Sequence, residues 1–147
     1  MTVQTTLHDV LGAPLPPAPA YGSNSIADVL ESASSLVAQR SLARPAHALD
    51  SDPAFHAVAD PLNLAGRLAE QDVDPASFRH ACVVMVDGLG EQLLNSYGGY
   101  APALRKTLNL GPLDAAFPTT TAASLTSLGT GTAPGAHGIA GYEVRNP

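Results

Sequence analysis

The chain is poor in positive charge and in cysteine. Seven Lys+Arg stand against 13 Asp+Glu in 147 residues, for a formal net charge of −6. A nucleic-acid backbone is held by a basic footprint, so binding to such a polymer is not expected. Lys106 is the only lysine, and the glycine-rich stretch Gly129-Thr130-Gly131-Thr132-Ala133-Pro134-Gly135 therefore lacks the lysine that a P-loop places on phosphate. Cys82 is the single cysteine and can form no intrachain disulfide, which makes a cytoplasmic setting the expectation. Mean hydropathy is +0.08, and no apolar run approaches the roughly 18 residues of a membrane span. Residues 1–10 carry neither the basic nor the apolar region of a secretory signal. A Gly-x-Ser-x-Gly elbow and a Cys-x-x-Cys pair are both missing.

What is present divides near residue 78. Residues 1–20, with Pro14, Pro16, Pro17 and Pro19, read as an extended arm, because proline denies both helix and central strand. Asn24 or Ser25 can cap a helix from Ile26 to about Arg40, with Ile26, Val29, Leu30, Ala33, Leu36 and Val37 on one face. Residues 41–60 read as irregular, and His47 and His56 within them as solvated side chains rather than ligands. A short helix is expected over Pro61–Glu70. Ala81-Cys82-Val83-Val84-Met85-Val86 is apolar on both faces, the mark of a parallel strand covered by helices. Helices over Glu91–Tyr97 and Pro102–Leu108, a strand over Leu113–Phe117 and a helix after Pro118 complete the order. That last helix is written in Thr, Ser, Ala and Gly, so small size counts for more there than helix propensity. The alternation predicts an α/β fold, a mostly parallel sheet flanked by helices over residues 79–147, preceded by an arm and helical segment over 1–78.

Two stretches carry candidate chemistry. Asp87 ends the first expected strand, where ligands of open α/β sheets bind, and a carboxylate there suits a divalent cation. It equally suits a cap for the turn at Gly88–Gly90. A dinucleotide site fits poorly, since the third glycine position is Leu93. Thr119-Thr120-Thr121 places hydroxyls at a helix start, where unpaired N–H groups and the helix dipole favour an attacking oxygen and an incoming phosphoryl group. A threonine run that merely caps a helix is common, so the run says little alone.

Together the motifs say more. Asp87-Gly88, then Phe117-Pro118-Thr119-Thr120-Thr121, then Thr130-Gly131-Thr132-Ala133-Pro134-Gly135-Ala136-His137-Gly138-Ile139, resemble the alkaline phosphatase superfamily, nearest its type I phosphodiesterase/nucleotide pyrophosphatase branch. The resemblance spans roughly residues 80–142. It implies an alkaline-phosphatase-like core and a metal-dependent phosphohydrolase acting through a threonine phosphoenzyme on a small phosphate ester or phosphodiester. It also implies two divalent ions, usually zinc. By the same resemblance, Thr121 is the nucleophile and a metal ligand, with Thr119 and Thr120 the alternatives that the threonine run leaves open; Asp87 is a metal ligand, and His137 is structural. Three positions depart from the pyrophosphatase pattern: Ala122 replaces the aromatic ring that stacks on a base, and Ser124 and Tyr142 stand where asparagines usually do. Ser124 and Tyr142 are thus the candidate substrate contacts, and a nucleotide substrate loses its stacking partner.

The remaining metal ligands of the family follow later in its domain, whereas His8, His47, His56 and His80 precede the motif. The expectation is therefore an N-terminal part of such an enzyme, inactive in isolation. The alternative is a small non-catalytic α/β binding module or a degenerate remnant of the family.

Overall fold

A computed structural model describes residues 17–42 and 58–142 of the chain. The expected arm before residue 17 and the loop carrying His47 and His56 lie outside those residues.

Asp28 organises the first part. Its carboxylate is 4% exposed and accepts hydrogen bonds from the Gly22 amide (2.9 Å), the Ser25 amide (2.8 Å) and the Ser25 hydroxyl (2.9 Å). These bonds close a 3-10 turn, Ile26–Asp28, which leads directly into helix α1, Val29–Leu42. The buried stripe of this helical segment runs through Ala27, Asp28, Ser32, Ala33, Ser35 and Leu36, while Leu30 is 38% exposed. Small polar residues thus occupy much of the face expected to be aliphatic. Ser32 shows why: its hydroxyl accepts the Leu62 amide at 3.0 Å, which needs close approach of the two backbones.

Helix α2, Leu64–Ala69, starts later than Pro61 because Asn63 adopts a left-handed backbone (φ 51°). Asp60 Oδ2 takes the Ala65 amide at 2.9 Å. Leu62 and Leu68 bury their side chains beside α1. A 3-10 turn, Pro75–Ser77, follows. Helix α3, Glu91–Tyr97, has the expected bounds and runs into a 3-10 turn at Gly98–Tyr100. Helix α4 covers only Pro102–Arg105. Helix α5, Thr121–Thr130, ends at Gly131, whose φ of 67° suits glycine. Helix α6 is the single turn Pro134–His137.

The expected parallel sheet does not form. Among the described residues there is no β-strand, only one isolated parallel bridge between Ser25 and Asp114. Residues 81–86 lack a ladder partner, and Val83, Val84 and Val86 are 39%, 77% and 56% exposed. Cys82 is an exposed free thiol. The physical reason is pairing. A run that is apolar on both faces makes a strand only when neighbours satisfy its backbone. The other expected strand, Leu113–Phe117, directs its backbone elsewhere: the Ile26 amide donates to Asp114 O and the Asp114 amide to Asn24 O, both at 2.9 Å. Instead of the expected α/β, alkaline-phosphatase-like sheet flanked by helices, the described residues form an assembly of helices and turns.

Side chains reinforce the seam between residues 17–28 and 110–117. Arg67 Nη1 donates to Leu110 O at 2.7 Å, Asn24 Nδ2 to Pro112 O at 3.1 Å, and the Phe117 amide to the Tyr21 hydroxyl at 3.0 Å. Helix α5 packs on the 26–28 turn with Ala123 and Ser127 fully buried. These residues are four apart and so share one helical face.

Replacing Asp28 by alanine strips three donors of their acceptor in a buried turn. Asp28→Ala should lower stability by about 2–3 kcal/mol, read as a fall in the urea midpoint. A midpoint equal to that of the unmodified chain would remove Asp28 from this role.

Candidate functional site

The chain reverses direction immediately after Asp87. Gly88 has φ 72°, a left-handed backbone that glycine adopts without strain, and the Leu89 amide closes the turn on Val86 O at 3.3 Å. The Asp87 carboxylate is thereby carried on an exposed corner.

Thr120 starts α5. Its backbone is extended (φ −99°, ψ 150°), and its hydroxyl accepts the Ala123 amide at 3.2 Å, as an N-cap does. The same hydroxyl donates to Ala140 O at 2.8 Å. Thr120 O accepts the Ser124 amide at 2.9 Å. Thr121 is the first helical residue, and its Oγ1 donates to Asp87 Oδ2 at 3.2 Å across 34 positions of sequence. Thr119 is exposed, and its hydroxyl makes no hydrogen bond among the described residues. The three threonines therefore differ: one is solvated, one is committed to the cap, and one faces the carboxylate.

Asp87, Thr119, Thr120, Thr121 and Ser124 line one open cleft of about 560 Å³, whose other walls include Ile26, Val29, Val83, Val84, Val86 and Leu128. Among the described residues, no Lys, Arg or His lines it. Tyr142 is 80% exposed and outside that lining. Ser124 is thus beside the Asp87–Thr121 pair and Tyr142 is not.

Asp87 and Thr121 offer two oxygen donors to a cation. Catalytic zinc takes three protein ligands, and no cluster of three or more His, Cys, Asp or Glu occurs among the described residues. The pair alone therefore falls short of the donor set that a catalytic zinc takes.

His137 lies behind the cleft rather than in it. Its Nδ1 accepts the Ile139 amide at 3.1 Å, and its Nε2 lies 3.0 Å from Ser127 Oγ. A neutral ring accepting at Nδ1 carries its proton on Nε2, so it donates to Ser127. The ring thus pins the 134–139 turn to the middle of α5.

Residues 81–147 match the family model for type I phosphodiesterase / nucleotide pyrophosphatase. This stretch, a little under half of the chain, is similar to that family. No curated protein and no solved structure matches the chain. The matched stretch contains Asp87, Thr121, Ser124, His137 and Tyr142, and residues 1–80 lie outside it. Enzymes of this family act on phosphodiesters and are generally metal-dependent. No helix among the described residues is long and apolar enough to cross a membrane.

Sequence reasoning had no view of two contacts. The Thr120–Ala140 bond ends on a backbone carbonyl, which has no residue-type signature. The Ser127–His137 bond joins residues that no local pattern pairs. Removing the ring leaves the Ser127 hydroxyl, fully buried, without its partner. His137→Ala should therefore cost about 2 kcal/mol and Ser127→Ala about 1. Chemical denaturation of both single mutants and the double mutant should give a coupling energy near 1 kcal/mol. Strict additivity would mean that the two side chains do not interact.

Proposed function

We propose that residues 81–147 carry the nucleophile side of a metal-dependent phosphodiesterase site, that Thr121 forms a covalent threonine phosphoenzyme, and that the 147-residue chain alone does not turn over substrate. The single observation supporting Thr121 is its 3.2 Å hydrogen bond to Asp87 at the first position of α5. Asp87 orients the hydroxyl and receives its proton as the oxygen attacks phosphorus. The P–O bond to the leaving group breaks as the new bond forms, and the leaving alkoxide takes a proton from solvent; water later attacks phosphorus, releasing the phosphomonoester, and the proton held by Asp87 restores the Thr121 hydroxyl. The Thr121 and Ala122 amides, which have no hydrogen-bond partner among the described residues, are placed at the positive end of the helix, where anionic oxygens are favoured.

Ser124 is the proposed contact for a substrate oxygen from within the cleft, with Tyr142 a second donor from the 138–142 loop. With Ala122 in place of a stacking ring, the substrate class is a small phosphodiester whose binding does not depend on a base. The proposed cofactors are two divalent ions, zinc, for which Asp87 and Thr121 are part of the donor set and further ligands complete it in the whole protein.

The test is acid quenching of the complete protein during hydrolysis of bis(4-nitrophenyl) phosphate, followed by mass spectrometry of the peptide spanning residues 119–121. Phosphate is expected on Thr121. It should be absent in Thr121→Ala and retained in Thr119→Ala. Covalent phosphate surviving Thr121→Ala would overturn the assignment. The 147-residue chain assayed alone should release no nitrophenol, and turnover by it would refute the proposed dependence on further ligands.

A further inference from the structure

We infer that Thr120 is a positioning residue that sets the reactivity of Thr121; this rests on the reading of Thr121 as the nucleophile. An N-cap needs only an acceptor for a first-turn amide. Thr120 does more: the hydroxyl that accepts from the Ala123 amide also donates to Ala140 O, 20 residues away. Its proton and its lone pair are therefore both assigned, which fixes the side chain and the backbone from which Thr121 departs. Ala140 is itself held, because the His137 ring bonds to the Ile139 amide and to Ser127. The 138–140 loop is thus fastened to α5 at two places, at its middle through Ser127 and at its start through Thr120.

Thr121 is the next residue along, with one weak bond, 3.2 Å long, to an exposed carboxylate. That bond alone is a loose guide for an attacking oxygen. The helix start supplies the rigidity, and Thr120 fastens the helix start. Thr120 has no proton to give up in the reaction and acts only through its neighbour.

The experiment measures the rate constant of phosphoenzyme formation in the complete protein by rapid acid quench, or by single turnover if the intermediate does not accumulate. Thr120→Val keeps the shape and removes both hydrogen bonds; Thr120→Ser keeps both. The rate constant should fall about tenfold in Thr120→Val, with KM little changed, and return to within about twofold in Thr120→Ser, since serine restores both the cap and its donor. A purely structural role would lower the number of reactive sites, seen as burst amplitude, while leaving the rate constant of each intact. Thr120→Val reacting at the unmodified rate constant, with Thr121→Ala silent, would overturn the inference alone. Phosphoenzyme formation in Thr121→Ala, or no turnover by the unmodified complete protein, would overturn the nucleophile assignment and this inference with it.

Discussion

Helix α5 rests on the 3-10 turn at residues 26–28 through side chains small enough to let backbones meet, and the placement of every cleft residue on α5 follows from that contact. Ala123 and Ser127 are fully buried there, and Ala27 on the turn is 2% exposed. At the helix end, a Cβ built on Gly131 would lie 3.8 Å from Ala27 O. Longer side chains at Ala123 or Ser127 would lift the helix off the turn and carry Thr121 with it. This explains a helix composed of Thr, Ser, Ala and Gly, which propensity alone disfavours.

The 26–28 turn is itself a product of polar satisfaction. The buried apolar residues among those described are four alanines and three leucines, which provide little area for the hydrophobic effect to act on. Geometry is instead set by buried hydrogen bonds whose loss is costly. Asp28 closes the turn, Ser32 holds Leu62, and Ser127 holds His137. Asp28 caps its own turn, and Ser32 and Ser127 each tie a helix to the segment that follows it.

The same distinction decides what could be read from sequence. Local chemistry was legible: Glu91–Tyr97 follows Gly90 and ends at Gly98, and α5 begins at the threonine run and stops at Gly131. The residue types at the cleft were legible too, because Asp87-Gly88 and Thr119-Thr120-Thr121 are unusual combinations that form separated, ordered motifs. The sheet was misread because an apolar run at 81–86 states a demand for burial without naming the strand that meets it. The face of α1 was misread in part because Ser32 and Ser35 look like solvent-facing residues until the close approach of Leu62 is known. Which threonine faces Asp87 depended on where the helix starts, to one residue, and that depended on the acceptor at Ala140.

Asp87 poses an electrostatic problem that constrains the proposed chemistry. A phosphodiester is an anion, and among the described residues no Lys, Arg or His lines the cleft that holds Asp87 and Thr121. Two like charges about 4 Å apart repel by roughly 1 kcal/mol in water and 4 kcal/mol at a protein surface. Two unpaired helix amides carry partial charges only, which offset part of that repulsion. A substrate phosphate approaching Thr121 therefore needs a full positive charge beside Asp87. A divalent cation held by Asp87 and Thr121 would supply that charge and act as a Lewis acid there. The bare carboxylate is a reason to seek the remaining donors elsewhere in the protein.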